Sequence, residues 1–258
     1  MDKLTRTLLV PLFALCIGSL MMMPAPPARA QSVSLGADIM NRYVWRGDPL
    51  ATTGVIQPSL SYSQSGFTIG AWGSYSLTDN NSAESAGARS GDEFDLYASY
   101  AFDLGNNGSF SVGVTDYYFP YGDPSNGVAG NDFFNYDEAE EGGRHTIEPN
   151  VSYTGPESLP ISLYAAINAY GTSGEAVWLE ASYPFSVESV DLSVALGTAV
   201  NDTDNFYVSG DNDAGITKLS LSASKSVEIT DSFSLPLMAS YYLNPFSEQG
   251  WLMFGLSL

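Results

Sequence analysis

Residues 93–103 read EFDLYASYAFD, and the strict alternation of this stretch decides the fold. The even-numbered positions are all apolar or aromatic: Phe94, Leu96, Ala98, Tyr100 and Phe102. The odd-numbered positions are mostly polar: Glu93, Asp95, Tyr97, Ser99, Ala101 and Asp103. Because successive side chains of a strand point to opposite faces, this period of two predicts a β-strand with one apolar and one polar face.

The same alternation recurs along the chain and predicts twelve strands. We place them near 33–45, 54–63, 67–77, 92–103, 109–119, 144–154, 161–170, 176–185, 191–201, 216–227, 233–243 and 250–258. Most have the length of a tilted membrane strand, roughly 9–11 residues, whereas strands of soluble sheets average roughly 5–6. The last strand carries its alternation to the final residue.

The connections between these strands alternate in length. Every second one is short: 64–66, 104–108, 155–160, 186–190 and 228–232. The others include the long polar stretches 78–91, 120–143 and 202–215. Short turns at one end, longer loops at the other and an even strand count are typical of outer-membrane barrels. The sequence therefore predicts an all-β fold, a transmembrane antiparallel up-and-down β-barrel of about twelve strands. A soluble periplasmic β-sandwich is the alternative fold.

Four prolines and one acid bear on strand placement. Pro58, Pro149, Pro184 and Pro236 fall inside predicted strands, where proline cannot donate to the hydrogen-bond ladder. Asp116 falls on the apolar face of its strand. A closed barrel tolerates proline only at bulges or near strand ends, and a bulge near Asp116 would remove that acid from the apolar face.

The N-terminus has the pattern of a cleavable signal peptide. Lys3 and Arg6 precede an apolar run, and the segment PAPPARA places Ala28 and Ala30 as the small residues of a cleavage site. We predict a signal peptide over 1–30 and a single outer-membrane barrel domain over 31–258. Export through this signal places the mature chain in the outer membrane of a Gram-negative-type bacterium.

The mature chain is strongly acidic. The full sequence has a formal net charge of −20, and removing 1–30 leaves 28 acidic and six basic residues, a net charge of −22. A phosphate-binding surface needs a basic face, so nucleic acid is excluded as a partner. The expected partners are outer-membrane lipid, lipopolysaccharide and small solutes. No motif in the sequence calls for a cofactor.

One short stretch, NRYVWRG at 41–47, concentrates two of the six basic residues beside two aromatic ones. It is followed by QPSLSYS at 57–63 and GAWGSY at 70–75. In this order the three stretches resemble the TorF-type porins, a family of exported proteins of poorly defined substrate. The resemblance covers about a fifth of the mature chain, and it implies an outer-membrane pore.

The alternation assigns side chains to the lumen of the predicted barrel. Continued through 33–45, it places Arg42 and Arg46 inside and Tyr43 and Trp45 among the lipid-side aromatics. The predicted pore-lining residues are Asp38, Arg42, Arg46, Glu93, Asp95, Glu148 and Glu180. They form either a constriction that biases permeation or structural ion pairs across the interior. Several large aromatic residues also point inward and would narrow the pore: Trp72, Tyr97, Tyr117, Tyr164, Tyr170 and Trp178.

Catalytic and metal sites have little support in the sequence. His145 is the only histidine, and it lacks the nucleophile spacing of an outer-membrane hydrolase, so we expect no enzyme activity. The loop 201–215 carries weak candidates for a cation site: Asp202, Asp204, Asp211 and Asp213. It does not complete a twelve-residue calcium loop, and a solvated acidic loop explains it equally.

The predicted function is passive diffusion of small solutes through an outer-membrane porin, with a preference for cations because of the acidic lumen. Two alternatives remain open at this point. The first is a non-conducting barrel that presents its acidic loops as a binding or structural surface, and the second is an outer-membrane hydrolase.

Overall fold

The computed structural model describes residues 31–78, 92–120, 133–137, 144–171, 175–203 and 205–258. Fourteen strands lie in these ranges: β1 (Ser32–Met40), β2 (Tyr43–Trp45), β3 (Asp48–Ala51), β4 (Val55–Gln64), β5 (Phe67–Ser76), β6 (Glu93–Asp103), β7 (Ser109–Tyr118), β8 (His145–Thr154), β9 (Ser162–Ile167), β10 (Val177–Val187), β11 (Val190–Val200), β12 (Gly215–Thr230), β13 (Phe233–Asn244) and β14 (Gln249–Ser257). One 3₁₀ turn, Gly105–Asn107, joins β6 to β7. Within the described ranges, no helix has the length and apolar character needed to cross a membrane.

Twelve of these strands form one closed antiparallel barrel, as the sequence predicts. Each barrel strand pairs with its neighbour in the chain, and β1 closes the ring by pairing with β14 on one side and β4 on the other. Closure leaves no unpaired sheet edge, which is what a strand protein needs in lipid. The remaining two strands, β2 and β3, form a separate hairpin.

The two ends of the barrel differ as expected. The connections 65–66, 104–108, 155–161, 188–189 and 231–232 all lie at one end, here called the short-turn end. The opposite end, called the loop end, carries the connections 41–54, 77–92, 119–144, 168–176, 201–214 and 245–248. Both termini of the barrel domain belong to the short-turn side of the sheet, because the number of barrel strands is even.

The outer wall is apolar. Large apolar side chains face outward and are exposed on every side of the barrel: Leu35, Leu60, Ile69, Leu96, Val112, Val151, Leu163, Leu179, Val194, Leu221, Leu237, Leu252 and Phe254. Tyr75, Tyr183 and Tyr241 are also exposed on this face, an arrangement typical of the aromatic residues at the interfaces of membrane barrels. An apolar surface that encircles the molecule far exceeds what soluble monomers expose.

Proline shortens one strand and interrupts another ladder. Pairing between β8 and β9 stops at Asn150, next to Pro149, and resumes one residue out of register where Ile147 pairs with Tyr170. Since Pro149 has no N–H to donate, β9 ends at Ile167 and not at the predicted 170. Likewise, Pro58 stays paired with Ala37 but is absent from the ladder between β4 and β5.

The predicted end of the first strand, residue 45, is wrong, because β1 stops at Met40. Asn41 adds side-chain contacts to its backbone bond with β14: its N–H donates to the Phe254 carbonyl at 3.0 Å, its Oδ1 accepts from the Phe254 N–H at 2.8 Å, and its Nδ2 donates to the Leu252 carbonyl at 3.3 Å. The chain then leaves the wall. Tyr43 and Trp45, predicted to face lipid, are instead 1 % and 4 % exposed inside the molecule.

The lumen has two unlike halves. Toward the loop end it is filled by a buried cluster of large side chains that includes Tyr43, Trp45, Tyr117, Trp178 and Tyr207. Toward the short-turn end many of the inward positions are small and hydroxylated, although Tyr97 and Met238 also point inward there. We call this set the hydroxyl belt: Ser61, Ser63, Thr68, Ser99, Ser111, Ser152, Ser182, Ser193, Ser222 and Ser240.

Candidate functional site

The β2–β3 hairpin is the central feature of the lumen. Its two turn residues, Arg46 and Gly47, have φ values of +51° and +93°. Positive φ at both central positions is the geometry of a type I′ turn, which matches the twist of a two-residue hairpin. Arg46 is an unusual residue in this conformation, because a side chain there costs roughly 1–2 kcal/mol. Other contacts must offset that cost.

The hairpin reaches both sides of the barrel. Tyr43 lies 5.5 Å from the ring of Trp72 on β5, and Trp45 lies 5.5 Å from the ring of Tyr117 on β7. On the opposite arc, the side-chain amide of Asn244 on β13 donates to the Gly47 carbonyl at 3.4 Å. The hairpin therefore crosses the lumen and closes its cross-section at this level.

Arg46 anchors the hairpin through a buried ion pair. Its Nη1 lies 2.6 Å from Oε2 of Glu148 and its Nη2 lies 2.9 Å from Oε1, and the two side chains are 3 % and 1 % exposed. The hydroxyls of Tyr117 and Tyr164 donate to Glu148 Oε1 at 3.0 and 2.9 Å. A forked guanidinium–carboxylate pair of this kind is both strong and orientation-specific.

Aromatic rings surround the same guanidinium. Its carbon lies 4.5 Å from the ring centre of Trp45, 5.2 Å from Trp178, 5.4 Å from Tyr207 and 5.9 Å from Tyr164. Ring faces attract cations at these distances, and more strongly once water is excluded. We call Glu148, Tyr164, Trp178 and Tyr207 the Arg46 receptor cluster.

Tyr207 also hydrogen-bonds the Arg46 guanidinium. Burial raises the pKa of the Tyr207 hydroxyl; the Arg46 charge opposes the rise, and the Glu148 carboxylate adds to it. The phenol therefore stays protonated at physiological pH, and its neutral oxygen accepts from the guanidinium.

A β-bulge holds the hairpin turn. The register between β11 and β12 shifts between Gly197 and Thr198, which leaves Thr217 as an extra residue beside Lys218. Both side chains are buried, and the Thr217 hydroxyl donates to the Arg46 carbonyl at 2.9 Å. Bulges commonly redirect a side chain in this way. Because of the bulge, β12 contacts the hairpin turn and still pairs with β11 in the barrel wall.

Asp202 stabilises the conformation of the loop that carries Tyr207. Its carboxylate accepts three backbone N–H groups, from Phe206 at 2.7 Å, Tyr207 at 2.6 Å and Val208 at 2.7 Å. Asp202 is fully buried, whereas Asp211 and Asp213 are exposed. Asp204 lies outside the described residues. Within the described part of the chain, no group of three or more His, Cys, Asp or Glu side chains is placed to hold a metal ion.

Replacing Asp202 by alanine is expected to release residues 205–208 from the barrel mouth, because three backbone N–H groups, two of them buried, lose their acceptor. Limited proteolysis of the folded protein should then cleave this loop several-fold faster than in the unmodified protein. The matched control is Asp211→Ala, which removes an exposed acid from the same loop. Equal cleavage of the two variants would contradict the anchoring role of Asp202.

A second ion pair lies in the wall. The Lys218 ammonium contacts both carboxylate oxygens of Glu180 at 2.9 Å, and the Trp178 indole N–H donates to Glu180 at 3.3 Å. The pair joins β10 to β12 beside the hairpin.

The other predicted lumenal residues are separate from the Arg46–Glu148 pair. Glu93 and Asp95 are buried on β6, and Glu93 shares a side-chain hydrogen bond with Tyr43 of the hairpin. Asp38 faces inward on β1, in register with Gln57 and Ser257. Arg42 precedes the hairpin with its guanidinium carbon 5.6 Å from the Trp251 ring centre.

His145 occupies a different place, on the outer face of the barrel. Its Nδ1 lies 2.7 Å from Asp116 Oδ1, its Nε2 lies 2.7 Å from the Phe133 carbonyl, and its ring stacks on Tyr136 at 3.8 Å. Burial and a hydrogen bond to Asp116 raise the pKa of Tyr136 to about 12. Asp116 thus stays on the outer face without a bulge and is satisfied by residues 133–137 and His145.

The structure agrees with the predicted positions of some site residues, differs for others, and adds two that the sequence analysis did not name. Arg46 is lumenal as predicted, but it arrives on a hairpin and not at the end of a strand. Trp72, Tyr97, Tyr117, Tyr164 and Trp178 point inward as predicted, whereas Tyr170 is exposed outside and hydrogen-bonds the Tyr136 carbonyl. Tyr207 and Thr217 were not identified. The available signal was the pair Phe206-Tyr207 within an otherwise acidic loop.

Comparison with curated proteins gives no match. The model of one protein family matches residues 24–242, which include the hairpin, the receptor cluster and all but one of the barrel strands in full or nearly so. That family is described as "Bacterial protein of unknown function (Gcw_chp)". Since the match spans most of the sequence, the chain belongs to this bacterial family of unknown function, Gcw_chp.

Proposed function

We propose that this protein is an outer-membrane barrel that acts as a gated channel for small solutes, closed at rest by the β2–β3 hairpin. The observation that carries the proposal is the contrast between the two halves of the lumen. The β2–β3 hairpin fills the loop half, whereas the wall of the other half presents the small side chains of the hydroxyl belt.

The outer-membrane location is supported by the wall. The closed ring satisfies backbone hydrogen bonds without a free edge, and the outward side chains form an apolar surface with exposed tyrosines. A membrane barrel reaches this membrane after export, in agreement with the signal peptide predicted over 1–30. In this orientation the short-turn end faces the periplasm and the loop end faces outward.

The hydroxyl belt favours a channel rather than a barrel whose lumen is filled by side chains. A barrel of about eight strands is filled by its own side chains, whereas 16–18 strands leave an aqueous channel, so twelve strands lie between these cases. A purely structural barrel of intermediate width would fill its lumen with large wall residues throughout. Here serine and threonine occupy ten inward positions, and hydroxyls such as those of Ser222 and Ser240 bond one another along the wall at 2.9 Å.

The attachment of the hairpin supports gating. Its polar contacts with the barrel include those of Arg46 with Glu148, Thr217 with the Arg46 carbonyl, and Asn244 with the Gly47 carbonyl, while its aromatic side chains pack in the buried cluster. Gates of this type are loops with a small number of bistable contacts to a rigid frame. Displacing the hairpin would remove Tyr43, Trp45 and Arg46 from the cross-section together.

Lumenal charge supports a preference for cations. Both buried basic side chains of the lumen, Arg46 and Lys218, are paired with carboxylates. Asp38, Glu93 and Asp95 are further inward acids. Excess carboxylate in a narrow passage attracts cations and repels anions.

We assign no catalytic role to the protein. Both ring nitrogens of His145 are engaged by protein oxygens, and the ring is buried on the outer face beneath residues 133–137. A general base needs access to a proton on a substrate.

The experiment compares the unmodified protein with a variant in which residues 43–51 are replaced by Gly-Ser-Gly, both refolded into liposomes. Liposome swelling in small neutral and charged solutes should be slow for the first and fast for the second. The reversal potential of the variant in a potassium chloride gradient should indicate cation preference. Absence of swelling in the variant would contradict a channel and favour the second candidate.

That second candidate is a permanently closed barrel that presents its loops as a surface. It is favoured by the depth of the Arg46–Glu148 pair, since a buried forked pair resists dissociation. Under this candidate the hairpin is a core and not a gate.

A further inference from the structure

The partners of Arg46 belong almost entirely to the barrel and not to the hairpin. Glu148 comes from β8, Tyr164 from β9, Trp178 from β10 and Tyr207 from the 201–214 loop. Only Trp45 is a hairpin residue in contact with the guanidinium face. The barrel and the loop that carries Tyr207 therefore supply the carboxylate and three of the four rings around the guanidinium.

The carboxylate of this receptor cluster is oriented without Arg46. The hydroxyls of Tyr117 and Tyr164 both donate to Glu148 Oε1, and both tyrosines are wall residues. Oε2 is then directed toward Arg46 Nη1 at 2.6 Å. A buried carboxylate without a cation is costly, so a vacated cluster would favour any cation that fits its shape.

The shape selects a guanidinium. The fork of two N–H groups matches two carboxylate oxygens, and a flat delocalised cation can lie against the rings of Trp178 and Tyr207. A compact ammonium could donate to Glu148 but would neither reproduce the paired contacts nor stack. The nearby Lys218 ammonium is held by Glu180 and does not substitute.

We propose that the receptor cluster of Glu148, Tyr164, Trp178 and Tyr207 is a binding site for small solutes that carry a guanidinium group, and that Arg46 is its built-in competitor. A solute and the hairpin exclude one another from the same contacts. Solute binding therefore favours the displaced hairpin, a coupling that rests on the gating function proposed above; the recognition itself does not.

Competition has a quantitative consequence. A tethered competitor acts at an effective concentration of about millimolar or higher. A solute of modest affinity would then occupy the cluster in the unmodified protein only at still higher concentrations. Removing the Arg46 side chain should convert this into ordinary saturable binding.

The experiment uses methylguanidinium as the probe, methylammonium as the matched control cation, and tryptophan fluorescence of the refolded full-length barrel as the readout. Arg46→Ala should show saturable binding of methylguanidinium that is at least about tenfold tighter than that of methylammonium, since the paired contacts and stacking are worth more than about 1.4 kcal/mol. The unmodified protein and the double variant Arg46→Ala/Glu148→Gln should show no saturable change over the same range.

Refolding yield is a second readout, which applies if Arg46→Ala folds poorly. Its refolding yield should rise with methylguanidinium at concentrations far below denaturing ones, and should not rise with methylammonium. No saturable binding together with no rescue would overturn the receptor, as would equal responses to both cations. Liposome swelling of the variant lacking the hairpin reports the channel separately, so the two proposals can fail independently.

Discussion

Replacing Glu148 by glutamine is expected to destabilise the protein by about 3–5 kcal/mol, the usual cost of removing one partner from a buried ion pair. Arg46 would keep its charge in a site that is 3 % exposed and would lose its counter-charge. The hydroxyls of Tyr117 and Tyr164 would also lose a charged acceptor. Urea unfolding of the barrel in lipid vesicles, followed by tryptophan fluorescence, measures the change in unfolding free energy.

The same substitution should also loosen the hairpin, and a matched variant isolates that effect. Glu180→Gln breaks the ion pair with Lys218, which joins β10 to β12 in the wall, and it leaves the Arg46–Glu148 pair intact. Both variants should lose stability, but only Glu148→Gln should make liposomes swell faster. Faster swelling in both variants would show that general loss of stability, and not release of the hairpin, causes the permeability.

A compensated pair tests the physical reason for the loss. Well-packed apolar residues can replace a buried ion pair at little or no cost, because desolvation of both charges disappears. Arg46→Met/Glu148→Gln, which removes both charges and keeps an oxygen acceptor for the Tyr117 and Tyr164 hydroxyls, should therefore recover most of the stability that Glu148→Gln alone loses. If the double variant is the less stable of the two, the uncompensated charge is not the source of the destabilisation.

Replacing Gly47 by alanine is expected to displace the hairpin while leaving the barrel folded. A Cβ at this position would collide with the Thr217 carbonyl, and the φ of +93° disfavours any side chain. The obstacle is backbone, so it cannot move aside as a flexible side chain could. Strand content measured by circular dichroism should be unchanged, and swelling should approach that of the variant lacking the hairpin.

Gly105→Ala is the matched control for backbone strain. Gly105 also has a positive φ, +63°, but a Cβ there meets nothing within 4 Å and the residue lies in the short 104–108 turn. This variant should be as impermeable as the unmodified protein. If Gly47→Ala stays impermeable too, the close contact between the hairpin turn and β12 does not hold the gate shut.

Period-two alternation was enough to predict the barrel, because each strand has an apolar outer face and a lumenal face. The strand Glu93–Asp103 was predicted to within one residue for this reason. The end of β9 was missed because Pro149 acts on it across the ladder from the neighbouring strand. Such an effect depends on register, which a single sequence does not specify.

The hairpin could not be read from the sequence, because its residues continue the alternation of β1. Asn41 ends the strand by bonding to β14, more than 200 residues further along the chain. Nothing local to NRYVWRG marks that contact. The positive φ of Arg46 is likewise stabilised by Glu148 and Thr217, both distant in sequence. The sequence offered an ion pair between an arginine and a lumenal acid as one interpretation. Which acid is the partner, and that a hairpin carries the arginine, depend on the closed fold.

Single-channel recording in planar bilayers tests most directly whether the hairpin is a gate. The unmodified protein should be closed for most of the record, with rare openings to the conductance level that the variant with residues 43–51 replaced holds continuously. A silent variant would show that the wall is closed without the hairpin, and steady current through the unmodified protein would show that the hairpin does not close it.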